Sequence, residues 1–479
     1  MKKIFPVLAC VVVIGMFAHV VYGQRVTIPE IGGKNTPKTA KAPATAPKPL
    51  VVDPEKKSET ASDAESLKKI PEIEEGQQLF AKGDFLKAKD KFLEARKNNP
   101  QIQPGNLFMA HMFSASGNFH LKETRYWLEQ AVFEAPDDPE AYLLLGNYAV
   151  SEGRLVEARL LTEKSSELMK NFPQDSSRSK PLQITFQSLC ALIAISQENW
   201  DVAKEHLLKM QTLDPDSPKS YFELGNISFR QDKLDESLKY YEEAFQKGAK
   251  IQAPKLIIAQ KLQASGKQEE ASQYLNESLD TLERPDDIRL AAEFFLRWGD
   301  LDQAEKLTQK AVELEPKHVN NLILQGTIAL FKKDYPAAEQ LFQDVILIAP
   351  LNLLAKQGLA CALAESSDQA KQERAIAYAG DIVQNSPPNS PQRANSIAVL
   401  LWTHFKAGHQ HEIEVMARPL LENRTELNSL GLYYLAEILV SLKYDDIAKE
   451  LLQTAIDRND NFFKKAEAET LLQKLQPEK

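Results

Sequence analysis

The sequence predicts an all-α solenoid of about eleven helix–turn–helix units. A small residue, nearly always alanine, recurs at intervals of 34, 34, 33, 34 and 37 residues between Ala203 and Ala375. Two further series of small residues keep fixed offsets from the first, seven residues after it and twelve residues before it. A fixed period of this length indicates stacked repeat units, each too small to bury its apolar face alone.

The N-terminal residues 1–23 predict export. The chain begins Met1-Lys2-Lys3, stays apolar over residues 4–22 and has small residues before Gln24. This layout is typical of a secretory signal peptide, and the apolar run is also long enough for an uncleaved membrane anchor. Both interpretations predict an exported protein that is periplasmic, extracytoplasmic or tethered to a membrane.

Residues 24–68 differ from the rest of the chain in composition. They contain six prolines, many Ala, Thr and Lys residues, and no aromatic residue. Such a stretch buries too little apolar area to offset its ordering entropy, so we expect a disordered linker. Its early lysines and arginine serve solubility or make loose contact with an anionic surface.

Residues 69–460 carry the repeats. Each unit follows the order helix, short turn, helix, stop, with apolar residues three and four apart on one helix face, as at Tyr142, Leu145 and Ala149. Turn glycines and closing prolines end the helices. The small residues allow two helices to approach closely, and large residues fill the space beside them. The units start near residues 69, 103, 139, 184, 218, 252, 285, 319, 353, 394 and 429.

The period breaks at residues 172–183, around residues 365–374, where the turn of the ninth unit is longer, and in the tenth unit. Residues 172–183 form a Pro/Ser-rich excess, which predicts a loop insertion or a short extra element. In the tenth unit Leu401 and Ile413 stand in place of small residues. Residues 461–479 follow the last unit, and their spacing of apolar residues predicts a capping helix over Asn461–Gln476 that covers the final hydrophobic edge, followed by a short tail.

The repeats resemble the tetratricopeptide repeat family. The pairs Leu145-Gly146 and Leu224-Gly225, the recurring alanines and the closing Asp-Pro or Glu-Pro pairs stand where that family places them. The resemblance implies a right-handed superhelical α-solenoid whose first helices line a concave groove. It also implies that the residue after the Gly/Ala position points into this groove.

The resemblance implies four peptide-binding residues. Asn147 and Asn226 follow the Gly/Ala position, and Arg230 and Arg297 lie one turn further along their helices. Asparagine bonds both backbone groups of an extended peptide, and arginine adds carboxylate recognition. An ordinary solvated groove is the alternative for all four. Leu143 and Phe222 stand where some family members place a carboxylate-clamping lysine, which favours apolar contact with a partner instead.

The sequence offers no second kind of site. His404, His409 and His411 with Glu412 form the one dense histidine group, which we interpret as a solvated turn, and we expect neither a metal nor a cofactor. Cys190 and Cys361 are interpreted as buried free thiols. The aromatic residues Phe294-Phe295, Tyr433-Tyr434 and Trp402 are interpreted as core. No nucleophile, phosphate-loop or dinucleotide motif is present, so we expect no enzymatic activity.

We therefore expect an exported or membrane-tethered scaffold that binds a partner protein or peptide along its groove. The net charge of −9 argues against a nucleic-acid partner. An alternative is a structural subunit of a cell-envelope export or surface-polymer assembly complex, which would bind through the convex face or the unit edges. A third hypothesis, an enzyme with its chemistry in the inserted or degenerate units, has no supporting motif. The sequence leaves the partner and the oligomeric state open.

Overall fold

A computed structural model describes residues 70–116, 121–458 and 460–476 of this chain. The described part contains 23 α-helices and no strand, which confirms the predicted all-α solenoid of helix hairpins. The predicted signal peptide or anchor (residues 1–23) and the linker (residues 24–68) lie outside the described residues. The chain divides into two compact units, Met1–Pro254 and Lys255–Lys479.

Five hairpins make up the first unit. Their helices are α1 (Pro71–Ala81), α2 (Phe85–Asn98), α3 (Gly105–Ala115), α4 (Leu121–Glu134), α5 (Pro139–Ser151), α6 (Leu155–Lys170), α7 (Ser179–Ser196), α8 (Trp200–Leu213), α9 (Pro218–Arg230) and α10 (Leu234–Gln246). In each hairpin the odd-numbered helix is the first helix and the even-numbered helix is the second.

Six hairpins and a final helix make up the second unit, whose boundary falls at the start of α11. The helices are α11 (Pro254–Ala264), α12 (Gln268–Ser278), α13 (Pro285–Trp298), α14 (Leu301–Leu314), α15 (Val319–Phe331), α16 (Tyr335–Ile348), α17 (Leu353–Ala364), α18 (Gln369–Asn385), α19 (Pro391–Ala407), α20 (Gln410–Glu422), α21 (Ser429–Ser441), α22 (Asp445–Asp457) and α23 (Lys465–Leu475). Short 3₁₀ turns follow α12 and α20.

The small-residue series packs as predicted. A Cβ added to Gly225 would lie 2.7 Å from the ring of Tyr241, and one added to Gly146 would lie 2.6 Å from Leu189. Large side chains, among them Tyr241 and Phe342, therefore fill the space that the small residues leave, as the sequence predicted for this packing. The first small series is fully buried at every position: Ala158, Ala203, Ser237, Ala271, Ala304, Ala338, Ala375 and Ala448.

Most of the described hairpin turns contain one residue in the left-handed backbone region. Gly153 (φ 74°) and Gly299 (φ 87°) supply it without steric cost. Asp232 and Lys333 hold the same turn position with φ near 60° in units that lack the glycine. An aspartate often begins the second helix; Asp300 Oδ1 accepts the amide of Gln303 at 3.0 Å.

The excess residues 172–183 divide between a turn and a longer helix. α6 ends at Lys170, and α7 begins at Ser179, five residues before the position predicted from the period. The insertion therefore lengthens the first helix of the fourth hairpin. It also places Arg178 at the start of that helix, where the chain turns back toward α5.

The C-terminal helix packs on the last hairpin through buried Ala468 and Leu472. It begins at Lys465, four residues later than the sequence predicted, because Asn461 to Lys464 run back across earlier hairpins of the second unit. Among the described helices, none has the length and apolar character needed to cross a membrane.

Candidate interaction site

Several first helices carry a polar residue directly after the Gly/Ala position. Three of these residues are Asn147 on α5, Asn226 on α9 and Glu293 on α13. All three are partly exposed, in contrast to the buried residue that precedes each of them. The first two belong to the first unit and Glu293 to the second unit.

Asn226 is already engaged within its own hairpin. Its Oδ1 accepts the hydroxyl of Tyr241 at 2.8 Å, and its Nδ2 donates to Glu223 at 3.2 Å. The amide is therefore held in one orientation, with one N–H and one acceptor lone pair left for a ligand. Asn226 is a structural residue of the α9–α10 hairpin as well as a candidate binding residue.

Asn147 has a different environment. Its Oδ1 is buried and has no hydrogen-bond partner among the described residues, although the side chain as a whole is only partly buried. A buried acceptor without a partner costs about 1–3 kcal/mol. A donor that drew this oxygen out of the helix interface would recover that cost. Asn147 carries an acceptor that the described residues leave unsatisfied.

The two arginines are exposed and stand over aromatic rings. Arg230, the last residue of α9, lies with Cζ 5.4 Å from the ring of Trp200. Arg297 on α13 lies 5.6 Å from the ring of Phe294 on the same helix. Asn226 and Arg230 are one turn apart on α9 in the first unit, whereas Arg297 belongs to the second unit. The structure therefore does not assemble all four predicted residues within one unit.

The apolar contact expected of Leu143 is wrong. Leu143 is fully buried and packs within the core cluster that contains Leu189. It packs against α7, the first helix of the next hairpin, so a partner cannot reach its side chain. Phe222 remains partly exposed and packs with its ring centroid 5.5 Å from that of Tyr241.

Glu293 was not singled out from the sequence. Burial raises the pKa of its carboxyl from 4.5 to about 7, despite the opposing charges of Arg297 and Arg289. The signal that would have found it is its register, since it occupies the position of Asn147 and Asn226. A carboxyl on this face titrates near neutral pH, where its charge affects any ligand.

An ion-pair network joins three first helices of the first unit. The guanidinium nitrogens of Arg178 lie 2.7 Å from Asp138 Oδ2 and 2.6 Å from Glu140 Oε2. On the other side, His111 Nε2 lies 3.0 Å from Glu140 Oε1. Burial alone would raise the pKa of Glu140, but the hydrogen bond to His111 and the charge of Arg178 hold it at about 2. The network therefore fixes α3, α5 and α7 relative to one another.

In the second unit, residues 460–464, here called the return segment, lie against the ends of earlier first helices. Asn461 Nδ2 donates to the carbonyl of Leu296 at 2.7 Å, at the end of α13. The ring of Phe463 contacts Phe331 at the end of α15, with centroids 6.4 Å apart. The return segment therefore covers part of the surface that the ends of the first helices α13 and α15 form in the second unit.

Lys464 anchors the return segment. Its side chain is 6% exposed, and Nζ lies 3.1 Å from the Tyr335 hydroxyl and 3.1 Å from a carboxylate oxygen of Glu365. A second carboxylate oxygen, from Glu467, lies 3.6 Å from Lys464 Nζ. Burial alone would lower the pKa of Lys464, but Glu365 and Tyr335 raise it above its ordinary value. The segment is held by a buried, paired charge.

The histidine group is more compact than a solvated turn requires. His404 Nδ1 lies 3.1 Å from His409 Nδ1, and potential ligand atoms of these residues and Glu412 all lie within 4.8 Å of one another. All three side chains are partly buried, whereas His411 is exposed. Burial and the neighbouring His409 lower the pKa of His404.

The remaining sequence interpretations concern cysteines and aromatic residues. Cys361 is buried as predicted, but Cys190 is only partly buried; both are free, and burial raises the pKa of each thiol to about 11. A thiol with such a pKa is a poor nucleophile. The predicted core aromatic residues are buried: Phe294, Phe295, Trp402, Tyr433 and Tyr434.

The tetratricopeptide repeat family model matches residues 125–175 and 191–250. Over these two ranges the chain is similar to tetratricopeptide repeats. The matched repeats include Asn147, Asn226 and Arg230. Arg178 falls between the two matched ranges, in the insertion, and Arg297 and the histidine group lie beyond them.

Two curated proteins with partial similarity are the human antiviral innate immune response effector IFIT1 and Hsp70-Hsp90 organizing protein 3 of Arabidopsis thaliana. The first is 26% identical over 187 residues, which cover 36% of this chain and 39% of IFIT1. The second is 24% identical over 238 residues, which cover 44% of this chain and 35% of that protein. The similarity thus spans well under half the length of these relatives.

Among solved structures, a tetratricopeptide repeat protein from Parabacteroides merdae aligns with a TM-score of 0.35 and 16% identity. The alignment covers 61% of this chain and 98% of that chain. The likeness concerns the fold alone.

Proposed function

We propose that this protein is a scaffold that binds a partner protein or peptide on the first-helix surface of its first unit, formed by Asn147, Asn226 and Arg230. The observation that supports this most directly is the buried, unpartnered Oδ1 of Asn147. An extended peptide supplies backbone N–H groups that asparagine accepts regardless of sequence, and its acidic side chains or C-terminus suit the exposed Arg230.

The proposed binding surface belongs to the first unit because the equivalent region of the second unit is partly occupied. The return segment covers the carbonyl of Leu296 and the ring of Phe331. Arg297 remains exposed beside it, and we propose it as a secondary contact for carboxylates. The name of the Arabidopsis relative describes a protein that organizes two others, which agrees with a scaffold role.

The test uses peptides selected from a displayed random library against the full-length protein. Their dissociation constants are then measured for the wild type, for Asn147→Ala combined with Arg230→Glu, and for the control Asn276→Ala combined with Arg159→Glu on second helices. We expect the first pair to weaken binding by about tenfold or more, which corresponds to about 1.4 kcal/mol, and the control to leave it unchanged. Equal affinities for all three proteins would remove the proposal.

We further propose that residues 1–68 export the protein or tether it to a membrane. The support is the basic start, the apolar run over residues 4–22 and the Pro/Ala/Lys-rich stretch that follows. Fractionation of the native cells, with mass spectrometry of the protein's N-terminus, tests this. We expect the protein outside the cytosol, either cut near Gln24 or intact in the membrane fraction; an intact cytosolic protein would contradict it.

A further inference from the structure

A cluster of two histidines and a glutamate lies at the turn of the tenth hairpin. His404 is in the last turn of α19, His409 is the N-cap of α20, and Glu412 is in the first turn of α20. Gly408 turns the chain with a φ of 76°, and the amide of His409 donates to the carbonyl of His404 at 3.0 Å. The backbone itself therefore holds the two imidazoles side by side.

The distances within this cluster suit one small metal ion. Two nitrogens bound to the same tetrahedral zinc, each at about 2.0–2.1 Å, are separated by about 3.3 Å. The two Nδ1 atoms lie 3.1 Å apart, and an oxygen of Glu412 completes a set of three potential ligand atoms within 4.8 Å. Two atoms on one zinc ion are at most about 4.2 Å apart, so a small side-chain rotation would bring the three atoms to one face of a coordination site, with the helices left in place.

A carboxylate outside the cluster orients one of the rings. His409 Nε2 lies 3.3 Å from Glu373 of α18. An ionised carboxylate this close to Nε2 favours the neutral tautomer with the proton on Nε2, which leaves the lone pair on Nδ1, the atom that faces His404. A carboxylate beside the second nitrogen of a histidine is the usual support of a metal ligand.

We propose that His404 Nδ1, His409 Nδ1 and a carboxylate oxygen of Glu412 bind one divalent transition-metal ion, with zinc the best fit. Imidazole and carboxylate ligands suit this ion, and water fills its fourth position. The ion ties α19 to α20 in a hairpin that departs from the repeat pattern. There Leu401 and Ile413 replace small residues, and Pro419 removes one backbone hydrogen bond from α20.

The test is titration of the full-length protein, purified without a histidine tag and freed of metal by a chelator, with Co²⁺. We expect one Co²⁺ per chain, visible absorption bands of a four-coordinate ion, and their loss on addition of Zn²⁺. His404→Gln and His409→Gln abolish this binding. Glu373→Gln, which leaves all three ligands in place, weakens it by about 10- to 100-fold.

His411→Ala is the matched control, because this exposed histidine lies two residues from His409 but outside the cluster. We expect it to bind Co²⁺ like the wild type. Circular dichroism melting curves confirm that each variant is folded, and Glu373→Gln tests the site even where a ligand variant unfolds. Absence of stoichiometric binding in the wild type, or an equal loss in His411→Ala, would overturn the proposal.

Discussion

At the residue scale, two asparagines in equivalent positions serve different purposes. The side-chain amide of Asn226 forms hydrogen bonds with Tyr241 and Glu223, whereas the buried Oδ1 of Asn147 has no hydrogen-bond partner among the described residues. The first is a hydrogen-bonded support of its hairpin. The second carries a desolvation cost in the free protein, which is the expected property of a group that finds its partner in a complex.

This contrast leads to opposite effects of alanine at the two positions. Asn226→Ala leaves the buried hydroxyl of Tyr241 without its acceptor, so we expect a loss of about 1–3 kcal/mol in the free energy of unfolding. Asn147→Ala removes an unsatisfied oxygen, so we expect little loss or a small gain. Urea denaturation of both variants measures the difference. A larger loss for Asn147→Ala than for Asn226→Ala would contradict this assignment.

Glu293 gives the second unit a pH dependence of known sign. Its pKa in the folded chain, about 7, lies above its ordinary value of 4.5, so the folded state binds the extra proton between these values. The contribution of Glu293 to the free energy of unfolding is therefore most favourable below pH 4.5 and falls as the pH rises to about 7.

Glu293→Gln removes this dependence. We expect the variant to gain up to about 3 kcal/mol over the wild type at pH 8 and to match it near pH 4. Denaturant titrations at both pH values check the expectation, with exposed Glu163→Gln as the control. A gain that is the same at both pH values would show that burial of the charge is not the cause.

At the element scale, close contact between the two helices of a hairpin is the main structural constraint. Ala304 on α14 is fully buried, and Ala304→Leu inserts three carbons where the helices touch. We expect a loss of about 1–3 kcal/mol by overpacking. Gln309→Leu, on the exposed face of the same helix, should change stability little. Thermal unfolding compares the two, and an unaltered melting temperature for Ala304→Leu would refute the packing register.

Most of the helices and their packing positions can be predicted from the sequence, because the same contacts recur in every repeat unit. Each hairpin must bury the same small positions, so Ala158, Ala304 and Ala448 identify the core without knowledge of the partner helices. Contacts specific to one hairpin carry no such signal. Asp232 forms a turn where the pattern has glycine, and Arg178 reaches Asp138 across 40 positions of sequence.

For the candidate sites too, the sequence predicts the positions that repeat with the period but not the contacts specific to one hairpin. Register alone placed Asn147 and Asn226 on first helices, but it did not reveal that only one of them lacks an internal partner. The convergence of His404 and His409 depends on the left-handed Gly408 between them, a conformation that sequence spacing does not specify. Leu143 was misassigned because the sequence does not show how closely α7 packs on α5.

At the scale of the whole molecule, the return segment makes the second unit depend on the C-terminus. Lys464→Met keeps most of the aliphatic stem but leaves Glu365 with Lys406, and Glu467 with Lys333, as the remaining cation. We expect the free energy of unfolding of the second unit to fall by about 1–3 kcal/mol, the cost of removing one partner of a buried hydrogen-bonded charge. Lys474→Met, exposed on α23, is the matched control.

Hydrogen–deuterium exchange locates this effect. We expect faster exchange in α23 and in the ends of α13 and α15 of Lys464→Met, with the first unit unchanged. Exchange identical to the wild type in those three helices would show that the return segment is not held by its buried lysine.

The central claim is that the first helices of the first unit bind the partner. The most direct measurement is hydrogen–deuterium exchange of the full-length protein with and without a saturating selected peptide. We expect protection to concentrate in α5 and α9, which carry Asn147, Asn226 and Arg230, and to leave the exposed faces of α6 and α10 unchanged. Protection confined to second helices, or to the second unit, would contradict the claim.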